Sequence, residues 1–351
     1  MIKDILQIDA PHSTNPGGHI CWEWNDTLSE ILNIPIRHTY LSTQVQAKIF
    51  IAERFPFVKK IYDFVKRSVK RMLGKNTGKN STPVNNPIEQ DLNAPLSICI
   101  LMWADGQYGF IAGQNTIPIC IDLVDQHLPQ LVYKTSKMKL FYVTSREVYD
   151  RVRRLAPNSN VHYMPLSVPD KYYSPNFEAY RSKSIDVIQF GRCNDVLHEY
   201  MLRYSKEHPN VEYVHSENLR KFGSKYVSTV RGDIGVFSER SQFIELLSHA
   251  KVSLVSSSGP DGIHFPSPRF YESAILGCAL LGRYPDNQEF TELNMRRYCP
   301  NITSYEQFCE ELERALAQTP EELYAQNREF ILNSLTSKRA QQIQRDLASL
   351  S

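Results

Sequence analysis

Eight short apolar runs, separated by helical patterns, restrict the fold of this chain more than any other feature. In the first half they are Leu96–Trp103, Ile117–Ile121, Leu140–Thr144 and Val161–Pro165. In the second they are Ile185–Phe190, Val211–Val214, Val252–Ser256 and Ala279–Leu281. Continuous apolar runs of about four to eight residues suit strands buried on both faces, the habit of parallel sheets. Helical patterns such as Arg146–Leu155 and Ser241–Ala250 fall between them. The repeating unit is therefore βαβ, and the expected class is α/β with doubly wound sheets. A polar, proline-bearing stretch from Leu166 to Ser184 separates the two sets. The expected division is residues 1–170 and 171–351, each long enough for its own core.

Net charge is only +2, so binding of nucleic acid by bulk charge is not expected. The seven cysteines, Cys21, Cys99, Cys120, Cys193, Cys278, Cys299 and Cys309, form no C-x-x-C pair. Several lie inside apolar runs, which fits free buried thiols rather than disulfides or a zinc site. The start, Met1-Ile2-Lys3-Asp4, has no apolar leader, and no stretch approaches the ~20 apolar residues of a membrane span. The expectation is a cytoplasmic protein that meets a membrane only from its surface.

One segment suggests such a contact. In Phe57–Leu73, the residues Val58, Ile61, Tyr62, Val65, Val69 and Met72 fall on one helical stripe. Lys59, Lys60, Lys66, Arg67, Lys70 and Arg71 lie off it. A basic amphipathic helix of this kind suits an anionic membrane face, although the same pattern describes a solvated helix packed on its own domain. The following stretch, Gly74–Pro95, is rich in Asn, Gly and Pro and reads as a mobile loop.

The chemistry concentrates in Ser256–Cys278, where an apolar strand runs through a small-residue loop into a helix. Ser267 suits the N-cap, Pro268 the first helical position and Gly277 the stop. A helix start carries unpaired N–H groups and a positive dipole end, and Arg269 adds a full charge, so the expected ligand is an anion such as a phosphate. Glu272, one turn on, is placed to accept hydrogen bonds from sugar hydroxyls. The plainer alternative is a surface i,i+3 pair between Arg269 and Glu272.

The stretch PSPRFYESAILGCALLG resembles the nucleotide-sugar motif of the glycosyltransferase group 1 family. Its P-R-x-x-E start, Pro268 to Glu272, is similar to that of a divergent branch, the spore-maturation-like glycosyltransferases. In the family's E-x7-E pattern Glu272 stands at the second glutamate, which binds the donor ribose. His264 stands at the first, near the sugar and leaving phosphate, and that departure leaves donor choice and stereochemistry open. Asp186-Val187-Ile188-Gln189-Phe190-Gly191-Arg192 is similar to the first strand and turn of the family's donor domain, which implies Gly191 and Arg192 beside the phosphates. A lysine common in that loop is replaced by Asn194 and Asp195. The likeness extends over about Leu140 to Ser351 and implies GT-B architecture, with two Rossmann-like domains facing a central cleft.

By this resemblance the chain would transfer a sugar from a nucleoside-diphosphate sugar to a glycan or lipid-linked acceptor, in surface polysaccharide synthesis. Transfer requires an anion site for the departing diphosphate and, with inversion, a base near the acceptor hydroxyl. In the first half, Gly17, Gly18 and His19 follow the first strand region, His12 shares that loop, and Asp105, Asp122 and Asp125 end apolar strands. Asp125 and His19 rank first as the base, though loop histidines and strand-end aspartates commonly serve as caps. No D-x-D motif stands in a convincing context, so neither a metal nor another cofactor is expected. Two other classes share the architecture: a sugar-nucleotide epimerase, and a degenerate GT-B module that binds or scaffolds.

Overall fold

The structure, a computed structural model, describes residues 1–9, 18–40, 87, 89–102, 115–121, 123, 128–181, 183–191, 193–220, 223–257 and 263–350. The first half comprises β1 (Ile2–Asp9), α1 (Gly18–Leu32), β2 (Ile36–Tyr40), β3 (Leu96–Met102), β4 (Thr116–Ile121), α2 (Leu128–Thr135), β5 (Phe141–Val143), α3 (Arg146–Leu155) and β6 (Val161–Tyr163). Its strands form one parallel sheet in the order β2-β1-β3-β4-β5-β6. All six residues of β4 are buried, as a strand covered on both faces requires.

The second half comprises β7 (Ile185–Gln189), α4 (Asp195–Glu207), β8 (Tyr213–Arg220), β9 (Gly223–Ser228), β10 (Gly232–Phe237), α5 (Arg240–Ser248), β11 (Ala250–Ser256), α6 (Pro268–Ile275) and β12 (Ala279–Arg283). Then come α7 (Gln288–Glu292), α8 (Met295–Tyr298), α9 (Tyr305–Ala317), α10 (Pro320–Asn333) and α11 (Thr336–Leu350). The sheet order is β10-β9-β8-β7-β11-β12, parallel from β8 to β12 with an antiparallel extension through β9 and β10. The chain thus has the expected α/β class, with two doubly wound sheets. In the second sheet the winding direction reverses between β7 and β11, and α/β sheets bind ligands outside the carboxyl ends of strands at such a reversal.

Local signals explain where the helices begin. Ser145 caps α3 by accepting from Val148 N at 3.5 Å, and Val148 and Val152 then face the core. Asn194 caps α4 by accepting from Leu197 N at 3.1 Å, so the Asn-Asp pair in the loop after β7 starts a helix. Gly18 and His19, expected in a loop, instead open α1, which carries Cys21, Trp24 and Leu28 into the core. The fully buried Trp24 donates from Nε1 to Ser167 O at 3.0 Å and ties α1 to the connection between the sheets.

The last helix returns to the first sheet. α11 packs on α1. Its Asp346 Oδ2 accepts from Tyr142 Oη at 2.9 Å and lies 3.1 Å from His162 Nδ1. Gln342 Nε2 donates to Tyr163 O at 2.8 Å.

The mobile loop expected over 74–95 does not hold at its end. Gln90 is buried and fastens two strands: Nε2 donates to Thr116 O at 2.8 Å and Leu140 O at 2.9 Å. Its Oε1 accepts from Lys139 N and Leu140 N, both at 2.8 Å. Buried backbone groups where strands begin need partners, and one amide side chain supplies four hydrogen bonds. The basic segment 57–73 lies outside the described residues. Among those described, no helix is long and apolar enough to cross a membrane, and none of the seven cysteines is in a disulfide, five of them being buried.

Candidate functional site

The site forms where β7 and β11 lie side by side and their chains leave the sheet. Gly191, just beyond β7, has φ +69°, a conformation that favours glycine. A Cβ there would stand 3.4 Å from Cζ, Nε and Nη2 of Arg269, so the absent side chain lets the guanidinium lie against the turn. The turn is pinned: Gly191 N donates to Tyr226 Oη at 3.3 Å, and Ser216 Oγ donates to Gly191 O. Arg269, half-buried, also has its Cζ 5.8 Å from the centre of the Phe190 ring.

Beyond β11 the chain enters α6 as expected, with Ser267 at the N-cap and Pro268 in the first turn. The Ser267 hydroxyl departs from the usual capping role. It donates to Ser256 O at 3.2 Å, tying the helix start to the strand end, and accepts nothing from α6. The Ser267 side chain thus leaves the dipole end of α6 uncapped. At the other end Gly277, with φ +80°, closes a Schellman motif: Gly277 N donates to Ala274 O at 3.1 Å and Cys278 N to Ser273 O at 2.9 Å.

Glu272 is 4% exposed and does not pair with Arg269. Its Oε1 accepts from Arg240 Nη2 at 2.6 Å. Arg240 also reaches Glu23 Oε2 in the first half, from Nη2 at 3.0 Å and Nε at 3.3 Å. Burial works to lower the pKa of this guanidinium, but the two carboxylates outweigh it and hold it above its ordinary value. The i,i+3 surface pair is thus replaced by a buried triad linking the halves. No local pattern pointed to Arg240. Glu23 could have been noticed, as a lone charge in the apolar stretch Cys21-Trp22-Glu23-Trp24.

His264 lies in the same region. Its Nδ1 is 3.2 Å from Ser257 Oγ, its backbone N donates to Glu147 Oε2 at 3.3 Å, and its carbonyl accepts from Asn287 Nδ2 at 2.9 Å. A third contact between the halves uses Glu289, 2% exposed, which accepts from Arg146 N at 2.9 Å and Tyr163 Oη at 3.0 Å. Burial raises its carboxyl pKa to about 7, against the lowering effect of those hydrogen bonds.

Of the residues expected from sequence, the structure brings together Gly191, Ser267, Arg269 and Glu272, with His264 in the chain between β11 and α6. Arg192, Gly17, Asp105, Asp122, Asp125 and His12 lie outside the described residues, and so does the side chain of His19. Among the described residues no three His, Cys, Asp or Glu side chains are grouped to hold a metal ion.

No family model and no curated protein sequence matches the chain. Among solved structures it is similar to T4 phage β-glucosyltransferase, with TM-score 0.49 and 10% identity over 99% of each chain. It is also similar to a point mutant of S. aureus TarM in complex with fondaparinux, α-GlcNAc-glycerol and UDP. That match has TM-score 0.49 and 11% identity over 74% of this chain and 56% of TarM. The GtfA/B complex matches with TM-score 0.43 and 13% identity over 72% of this chain and 57% of that one. The chain therefore spans little more than half the length of TarM and GtfA/B. The fold itself, two Rossmann-like α/β halves, is read from the two sheets.

Proposed function

We propose that this chain is a glycosyltransferase whose nucleoside-diphosphate sugar binds at the β7–β11 reversal. The observation that carries this reading is the convergence there of the Gly191 turn, the Arg269 guanidinium and the start of α6. Donor cleavage breaks the bond between the sugar's anomeric carbon and the terminal phosphate oxygen, and the electron pair leaves with the diphosphate. A guanidinium and a helix N-terminus in fixed positions stabilise that charge as it develops. Arg192 is the second cation in this reading, and neutralisation by arginines and the helix removes the need for a metal. Glu272 accepts from the donor ribose through the oxygen that Arg240 leaves unused. His264 faces the sugar end, and the acceptor hydroxyl passes its proton to a first-half base, Asp125 or His19. The acceptor is a glycan or lipid-linked glycan in surface polysaccharide synthesis, with segment 57–73 resting on the inner face of the membrane.

The engagement of Glu272 by Arg240 favours one second reading, a degenerate module that binds or scaffolds. A panel of UDP-, GDP- and CDP-sugars, followed for release of nucleoside diphosphate, separates the two. The transferase reading expects slow release from one nucleotide class, lowered about 10²–10³-fold by Arg269→Ala. Release from none of them, with or without candidate glycan acceptors, leaves the binding module standing.

A further inference from the structure

An open pocket of about 530 Å³ lies away from the β7–β11 reversal, where the chain crosses back to the first sheet. Its walls come from Pro165, the α7–α8 connection, the end of α10 and the start of α11. Arg339 lines it at 8% exposure. The guanidinium donates from Nη2 to Leu166 O at 3.3 Å and Asn333 O at 3.0 Å, while its buried Nε makes no hydrogen bond. Among the described residues Arg339 pairs with no carboxylate. A charge so buried normally has a counter-ion, because desolvation without one costs several kcal/mol.

The other charges around the pocket add to this imbalance. Lys338 and Arg345 stand at the rim and make no ion pair among the described residues. The two acidic groups in the walls are already engaged: Glu292 with Arg146 at 3.4 Å and Glu329 with Arg297 at 2.6 Å. Asp170 accepts from Ser337 N at 2.9 Å, at the start of α11, and does not line the pocket. Three cations thus face the pocket with no carboxylate partner among the described residues. Amides of Asn294, Asn333, Gln341 and Gln342 complete the polar lining.

We propose that this pocket binds a phosphorylated small molecule, whose oxyanion pairs with Arg339, Lys338 and Arg345 and whose hydroxyls meet the amides. The volume falls in the range of metabolite sites. Burial holds the Arg339 guanidinium below its ordinary pKa, as expected of a cation whose counter-ion is missing from its surroundings. The pocket wall touches α6 through one ring: Phe330 stacks on Tyr271 with ring centres 5.4 Å apart.

The test uses the full chain at constant ionic strength, with inorganic phosphate, glycerol 3-phosphate and glucose 6-phosphate titrated calorimetrically. Glycerol and glucose serve as neutral controls, and phosphatidic acid vesicles as a lipid source of the same group. The proposal expects binding of the soluble esters, with the dissociation constant raised about tenfold or more by Lys338→Ala/Arg345→Ala. Both substituted residues are exposed, so that variant should fold. The binding should survive Arg269→Ala, which makes the outcome independent of the donor site. Absence of binding, binding insensitive to the rim variant, loss of binding in Arg269→Ala, or binding to vesicles alone overturns it.

Discussion

Replacing Arg240 by methionine tests whether the triad at the junction of the halves holds the fold as its geometry implies. Both carboxylates reach the same guanidinium nitrogen, and their side chains are only 10% (Glu23) and 6% (Glu272) exposed. Glu23 keeps a hydrogen bond from Tyr172 Oη and the nearby Lys171 Nζ at 3.7 Å, whereas Glu272 keeps no other charged partner among the described residues. Removing one member of a buried ion cluster typically costs about 3–5 kcal/mol. For a domain of this size that lowers the melting temperature by on the order of 10 °C. In the variant the two carboxylates sit buried without the guanidinium they share, and low pH relieves that cost by protonating them. Stability from their protonated forms is present at low pH and lost as pH rises. The gap to wild type should therefore be smaller at pH 5 than at pH 8. Thermal melts of the two proteins at both pH values measure this. Adding Glu23→Gln and Glu272→Gln to Arg240→Met should recover most of the loss, since no buried charge then remains. An unchanged melting temperature would refute the reasoning, and an equal gap at both pH values would assign the loss to packing of the arginine stem instead.

Gly277→Ala should destabilise the chain by about 3 kcal/mol or more, because it adds the left-handed backbone cost of a Cβ to a clash. That Cβ would stand 2.6 Å from Ala179 O, and urea unfolding reads the effect. Glu289, raised from 4.5 to about 7, contributes stability below its unfolded pKa that fades as pH climbs from about 5 to 8. That contribution is about 3 kcal/mol, so Glu289→Gln should flatten the pH dependence of stability in that window.

Much of the fold was legible because parallel strands are nearly continuous apolar runs. Thr116–Ile121 and Ala250–Ser256 differ from the expected strands by only one or two residues at their starts. Strands β9 and β10 were missed because they extend the sheet's edge antiparallel, and the β10 side chains are exposed or only half-buried. Their sequence lacks the apolar run on which the reading relied. The start of α1 was read as a loop because glycines mask a helix N-terminus. In the site, the bounds of α6 were legible from Ser267, Pro268 and Gly277, all of which act within one helix. The triad was not, because Glu23, Arg240 and Glu272 meet only through tertiary packing and share no local spacing. Arg339 was overlooked for the same reason: a lone arginine in a polar helix carries no sign that it will be buried.

The central claim, that the Gly191 turn and α6 receive a nucleoside diphosphate, is tested most directly by calorimetric titration with UDP, GDP and CDP. The account predicts that one of them binds clearly more tightly than the others. It also predicts that Arg269→Ala weakens that binding about tenfold or more while leaving the melting temperature of the free protein nearly unchanged. No binding of any of the three, or binding indifferent to Arg269, would contradict it.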